Sequence, residues 1–123
     1  MSNIFDIKLL KEDYEYSKNV HHRYRKKEFT INPNAIGIYY LYNDKKEIIY
    51  IGKAENSIRQ RLIQHLFSKP SIYLTEKEID KLQTKRDKVK YFSFEEINKE
   101  NISLTEILLI QKYRPILNVQ FKF

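Results

Sequence analysis

The stretch that decides the fold is GIYYLYNDKKEIIYIGKA, running from Gly37 to Ala54. Two apolar, tyrosine-rich runs flank a polar turn, the pattern of a β-hairpin. Each run carries a tripeptide of the same residue types, Gly37-Ile38-Tyr39 and Tyr50-Ile51-Gly52. Closure through Asp44-Lys45, or through all of Asn43 to Lys46, predicts Tyr39 opposite Tyr50 and Gly37 opposite Gly52, with both phenols on one face. A loop of odd length would slip the pairing by one residue and send the tyrosines to opposite faces, because side chains alternate with period two. Ile and Tyr occupy both faces of Ile36 to Asn43 and of Glu47 to Gly52, which predicts a sheet with helices above and below.

The elements around the hairpin follow from punctuation and period. Upstream, residues 6 to 27 read as a helix carrying Ile7, Leu10, Tyr14 and Tyr16 on one side. Asn32-Pro33-Asn34 separates this N-terminal helical arm, residues 1–34, from the rest of the domain, residues 35–123. Downstream, Asn56 or Ser57 caps a helix to about Phe67 with a stripe of Ile58, Leu62 and Leu66, ended by Lys69-Pro70-Ser71. A charged helix from about Leu74 to Lys88, a third strand over Val89 to Phe94 and a last helix from Ser103 to Tyr113, halted before Pro115, complete the reading.

A chain of 123 residues forms a single domain able to bury about two thirds of its unfolded surface without disulfide or metal staples. The absence of cysteine excludes thiolate zinc sites, disulfides and cysteine nucleophiles, and suits a reducing cytoplasm. Charged residues break up the first stretch before a signal-like run develops, and no run reaches membrane-spanning length, so a soluble, unexported protein is expected. Lys and Arg number 23 against 16 acids, a net +7 with pI about 9.5, a balance that favours polyanionic partners. The excess is densest in Lys18 to Lys27, which holds Arg23, Arg25, Lys26 and Lys27 and no acid. A solvated helix face is the competing account of such a run.

Two features can carry chemistry. Arg61 and His65 stand four residues apart on the helix after the hairpin, so they project from one face and can grip a phosphate; taken alone, a surface ion pair and a satisfied histidine explain them as well. Glu106 sits among Leu104, Ile107, Leu108, Leu109 and Ile110, a helix apolar around most of its circumference and therefore expected to be buried. One account is a capping box in which Glu106 reaches back to the Ser103 amide. The other is a lone carboxylate ligand for Mg2+, which keeps several waters and takes further oxygens from substrate phosphate.

In order along the chain, GIYYLYNDKKEIIYIGKA, IRQRLIQH and EILLIQKYRPILN resemble the GIY-YIG nuclease superfamily over about residues 35 to 120. The first segment is particularly similar to the N-terminal nuclease domain of the excision-repair subunit UvrC and to phage homing endonucleases. The resemblance implies an α/β (α+β) fold with a small three-stranded antiparallel sheet flanked by helices, to which this chain adds its N-terminal arm. It implies that Tyr39 and Tyr50 orient or deprotonate the attacking water, that Arg61 stabilises charge on the scissile phosphate, and that His65 occupies a position where the family carries His or Tyr. Lys53 would lie near the phosphate, Glu106 would bind the metal, and Asn118 would brace the site and count among the substrate-binding residues. The loop before Arg61 is one residue longer than in the UvrC-like pattern, which makes Arg59 a rival for the arginine role; Arg61 is preferred for its spacing to Ile58 and His65.

What the resemblance implies for function is metal-dependent hydrolysis of DNA by in-line attack of water, with one Mg2+ or Mn2+ on Glu106 and 5′-phosphate and 3′-hydroxyl products. Lys53, Arg61 and the metal would favour phenolate if Tyr39 is the base, a role awkward for a phenol of ordinary pKa near 10. The basic arm would clamp flanking backbone, making binding steeply salt-dependent. A homodimer or a partner protein would supply specificity that the chain has no appended domain to provide. Two rival readings are a catalytically idle DNA-binding module of the same fold and a basic RNA-binding protein whose tyrosines stack on bases.

Overall fold

The computed structural model describes residues 3–18, 31–68 and 73–120. The elements in chain order are β1 (Phe5–Asp6), α1 (Ile7–Lys18), β2 (Gly37–Tyr42), β3 (Ile48–Ala54), α2 (Ile58–Leu66), α3 (Glu76–Lys88), β4 (Tyr91–Glu96), α4 (Lys99–Tyr113) and α5 (Ile116–Gln120). The sheet is antiparallel with strand order β1-β4-β2-β3. It therefore has four strands where three were expected, because the short β1 pairs Phe5 with Phe92 ahead of α1. The helix expected over residues 6 to 27 is described from Ile7 to Lys18; Arg23, Arg25, Lys26 and Lys27 lie outside the described residues, as does Lys69-Pro70-Ser71.

The central strand β2 is buried along its whole length, and its alternation feeds two cores. Tyr39 and Leu41 point to one side, where Leu10 of α1 and Ile58, Leu62 and Leu66 of α2 meet Phe92 and Leu117. Ile38, Tyr40 and Tyr42 point to the other, against Ile102, Leu109 and Ile110 of α4. On that side the phenols are satisfied within the sheet: the Tyr42 hydroxyl lies 2.7 Å from Ser93 Oγ, and Tyr40 donates to Glu95 at 3.2 Å. This explains how three tyrosines fit into one buried strand, since a buried hydroxyl without a partner would be costly.

The hairpin register differs from the expected one. Tyr39 stands opposite Gly52, Gly37 opposite Ala54 and Leu41 opposite Tyr50. The connection from Asn43 to Glu47 is odd in length: Tyr42 pairs with Ile48, which continued along the strands would have separated the two phenols. The pairing then jumps between Leu41 and Tyr42, leaving Ile49 as an extra residue in β3. That bulge reverses the slip and returns Tyr39 and Tyr50 to one face. The turn itself is tied by Asn43, whose Oδ1 accepts from the Lys45 and Glu47 amides at 3.0 and 2.9 Å, and it places Lys46 at φ 61°.

Helix boundaries follow their caps. Ser57, rather than Asn56, caps α2 by accepting from the Gln60 amide at 3.2 Å. Thr75 and Glu78 form a reciprocal capping box on α3. Arg114 in the left-handed region, at φ 45°, ends α4 ahead of Pro115. α4 begins at Lys99, four residues before the predicted start, so Ser103 and Glu106 stand inside it and the capping account of Glu106 fails. The helix is also less buried than its composition suggested: Leu104, Ile107 and Leu108 are 61%, 51% and 55% exposed. Among the described residues no helix is long and apolar enough to cross a membrane.

β3 is an edge strand, and α5 covers part of its free side. Asn118 donates Nδ2 to the Ile51 carbonyl and accepts at Oδ1 from the Ile51 amide, both at 2.8 Å, so one side chain stands in for a neighbouring strand. Ile51 is fully buried. Asn118→Ala would leave both main-chain groups without partners and is expected to cost about 2–4 kcal/mol, with Asn118→Asp costing a similar amount or more because it keeps the acceptor but turns a carboxylate oxygen toward the Ile51 carbonyl. Urea unfolding of the three proteins checks the order.

Candidate active site

The site grows from the face of the hairpin that carries Tyr39 and Tyr50. Their ring centroids lie 6.0 Å apart, and both rings meet the imidazole of His65 edge-on, at 5.7 and 5.9 Å. Tyr39 Oη and His65 Nδ1 form a buried hydrogen bond of 2.8 Å. Gly52 makes room for this arrangement, since a Cβ there would overlap the Tyr39 ring. Gly37 has a related role in the backbone: at φ 151° a Cβ would collide with the Glu95 carbonyl of β4. The two motif glycines thus permit close approaches that any side chain would block.

His65 is positioned by its helix and by α3. Arg86 donates Nε to the His65 carbonyl at 2.8 Å and Nη2 to the Gln64 carbonyl at 3.2 Å, satisfying carbonyls in the last turn of α2. Burial, then the charges of Arg61, Arg86 and Lys85, push the imidazole down to about 3. It is therefore neutral at physiological pH, and the proton of the Tyr39–His65 bond sits according to the imidazole tautomer.

The phenols are held in the opposite sense. Tyr39 is fully buried, and burial, followed by Tyr50, raises its pKa well above the ordinary phenol value; Arg61 opposes the rise without overcoming it. Tyr50 is half-buried and also raised, by burial first, with Glu106 adding to the rise and Arg61 opposing it. Arg61 thus favours a Tyr39 phenolate in the expected direction, but desolvation of the charged form outweighs it.

Across from the phenols, Glu106 is partly buried on α4 and its acidity is weakened first by burial, then by the neighbouring Glu55. The Lys53 charge and main-chain amide, and Arg61, act the other way. Lys53 is anchored between two elements: its ammonium pairs with Glu55 at 3.0 Å and donates to Ser103 Oγ of α4 at 3.1 Å. Arg61 is exposed beside a cleft of about 400 Å³ that also has Lys53, Glu55 and the start of α2 in its wall. Its charge acts on Tyr39, Tyr50, His65 and Glu106 alike.

Two residues expected at the substrate are used elsewhere. Arg59 donates Nε to the buried carboxylate of Asp13 on α1 at 2.7 Å, which ties α1 to α2 and removes it as a rival to Arg61. Asn118 spends its amide on Ile51, so it braces β3 and is not free to bind substrate through those atoms. Sequence reasoning missed Asp13, Arg86, Glu55 and Ser103. Asp13 gave no signal among the charged residues of its segment, and Arg86 none at all; Ser103 was seen but assigned to a helix start that lies four residues earlier.

Fold and site together define a class, the GIY-YIG nuclease domain. Residues 35–119 match the family of UvrC-like GIY-YIG domains, and the chain belongs to that family. It is 33% identical over 93 residues to UvrABC system protein C of Dictyoglomus thermophilum, covering 73% of this chain and 14% of that protein. To the same protein of Mycoplasmoides gallisepticum it is 36% identical over 98 residues, covering 79% of this chain and 15% of the relative. The chain thus spans about one seventh of the length of these curated relatives. Among solved structures it resembles the GIY-YIG N-terminal endonuclease domain of UvrC from Thermotoga maritima bound to magnesium, with TM-score 0.53, 25% identity, and coverage of 70% of this chain and 85% of that one.

The two arginines of α2 separate by experiment. Arg59→Ala removes an ion pair from the buried Asp13 carboxylate and is expected to cost more than about 1 kcal/mol in urea unfolding, whereas the exposed Arg61→Ala should stay within about 1 kcal/mol of wild type. The His65 shift fixes a second outcome. Its folded pKa, about 3, lies below the ordinary value near 6.5, so between these limits the unfolded chain binds a proton that the folded chain refuses. This contribution makes stability fall as pH drops from about 6.5 toward 3. Melting temperatures measured over that range should fall less for His65→Gln than for wild type.

Proposed function

We propose that the chain is a metal-dependent DNA endonuclease that hydrolyses phosphodiester bonds to 5′-phosphate and 3′-hydroxyl ends. The observation that carries this reading is the convergence of Tyr39, Tyr50, Arg61 and His65, drawn from three separate elements, beside the carboxylate of Glu106. The donor set suits a hard divalent cation. Among the described residues no group of three or more His, Cys, Asp or Glu gathers, so a cation would take Glu106 as its protein ligand and water or phosphate oxygens for the rest, as Mg2+ commonly does. Such a cation would stabilise charge on the phosphate and the leaving oxygen.

The residues have distinct tasks in this reading. Arg61, exposed and close to the phenols, holds a non-bridging phosphate oxygen. Tyr50, the partly exposed phenol, orients the attacking water through its hydroxyl. Tyr39 lies behind it, fully buried, and fixes Tyr50 and His65 in place. Lys53, anchored by Glu55 and Ser103, supplies a second positive charge toward the substrate backbone. Arg23, Arg25, Lys26 and Lys27 are assigned to flanking phosphates on charge alone, with residues 1–34 as an arm on the nuclease domain of residues 35–123. The burial of Tyr39 weighs against the reading in which both tyrosines stack on bases.

Labelled plasmid, single-stranded, flapped and forked DNAs, incubated with Mg2+ or Mn2+, test the proposal. Wild type should cut at least one of them only with metal present, and Glu106→Ala should lower the rate by about a hundredfold or more while still retaining DNA. Cutting that survives the substitution, or no metal-dependent cutting of any substrate, would sink it.

A further inference from the structure

The cleft beside Arg61 has a wall that the proposed hydrolysis does not use. Gln60 and Gln64 line it together with Asn56, and the two glutamines are exposed, one helical turn apart on α2. At 100° per residue, Gln60, Arg61 and Gln64 fall within one sector of the helix, opposite the buried stripe of Leu62 and Leu66. Among the described residues, no hydrogen bond involves the side-chain amide of either glutamine. Their backbone, by contrast, is fixed: the Gln60 amide is held by Ser57 at 3.2 Å, and the Gln64 carbonyl accepts from Ser68 Oγ at 2.6 Å and from Arg86. Two unspent amides on a rigid helix turn therefore face the cleft in which Arg61 stands.

The chemistry of an amide says what it can select. A phosphate offers acceptors only, which Arg61 and Lys53 already match with charge. A primary amide presents a donor and an acceptor side by side, the complement of a base edge that carries both. Adenine offers such an edge at N6 and N7, and glutamine reads it with two hydrogen bonds. Gln60 and Gln64 are about 6 Å apart along the axis, a span that covers the 3.4 Å step between stacked nucleotides. The cleft, about 400 Å³, falls within the range of sites that hold small organic ligands.

We infer that Gln60 and Gln64 form a base-reading edge that favours adenine at the nucleotides flanking the phosphate held by Arg61. This rests on the endonuclease reading, but its test need not involve cutting. Glu106→Ala protein is incubated with a DNA library of random sequence, and the retained molecules are sequenced. Adenine should be enriched at one or two adjacent positions by about fivefold or more. In Gln60→Ala/Gln64→Ala, made in the same background and checked for folding by circular dichroism, the enrichment should flatten. Lys53→Ala, a phosphate contact, should instead weaken retention of all sequences alike and keep the adenine preference. A library retained without base preference, a preference that survives the double substitution, or no retention of DNA would overturn the inference. Failure of wild type to cut, with the adenine enrichment present and lost on substitution, would count against the nuclease and leave the reading edge standing.

Discussion

The rest of the site depends on the seating of the Tyr39 ring against the bare backbone of Gly52. That contact places the hydroxyl on His65 and leaves the Tyr50 ring alongside, so three residues from β2, β3 and α2 are fixed by one steric choice. It also requires the hairpin to be in a particular register. Tyr39 can lie over Gly52 only because the extra residue Ile49 cancels the odd length of the turn, and Ile49 is itself buried in the same core. The bulge is thus held by packing rather than by the turn. Turn and bulge act as a pair in which each alone would misplace a phenol.

A second constraint comes from the edge of the sheet. An unpaired edge strand exposes main-chain donors and acceptors at every other residue. Here two successive positions on β3 are put to use. Ile51 is matched by Asn118, and the Lys53 amide stabilises the charged form of Glu106. The same edge therefore anchors α5 and biases the candidate metal ligand. Lys53 repeats the economy in its side chain, which joins β3 to α4 through Ser103 and sets a positive charge near Glu106.

Much of the fold was legible because it was written in period and punctuation. The hairpin, the helix after it and the last helix each had an apolar repeat, a cap or a proline stop. β1 was not legible, since two residues carry no period, and its pairing with β4 is decided by the aromatic contact of Phe5 with Phe92. The register was misjudged because a bulge has no local mark in a run such as Glu47-Ile48-Ile49-Tyr50. α4 was read too short and too buried for related reasons. Its start at Asn98 uses no side-chain hydrogen bond, and apolar composition alone does not tell which side faces the sheet. In the site, Tyr39, Tyr50, Arg61, His65 and Glu106 could be placed from ordered motifs. The separation of Arg59 from Arg61 required Asp13, whose partnership spans 46 positions in sequence.

The electrostatic balance of the site favours neutrality over activation. Burial keeps both phenols protonated and His65 unprotonated, and it weakens the acidity of Glu106. Arg61 is the charge common to all four groups. It favours phenolate at both tyrosines, opposes protonation of His65 and favours carboxylate at Glu106, so every one of its effects removes a proton from the cluster. An added divalent cation would act in the same direction, whereas a phosphate anion would partly cancel Arg61. Substrate alone would therefore leave the cluster more firmly protonated, and in this order of charges any gain in basic character comes from the cation and not from the phosphate.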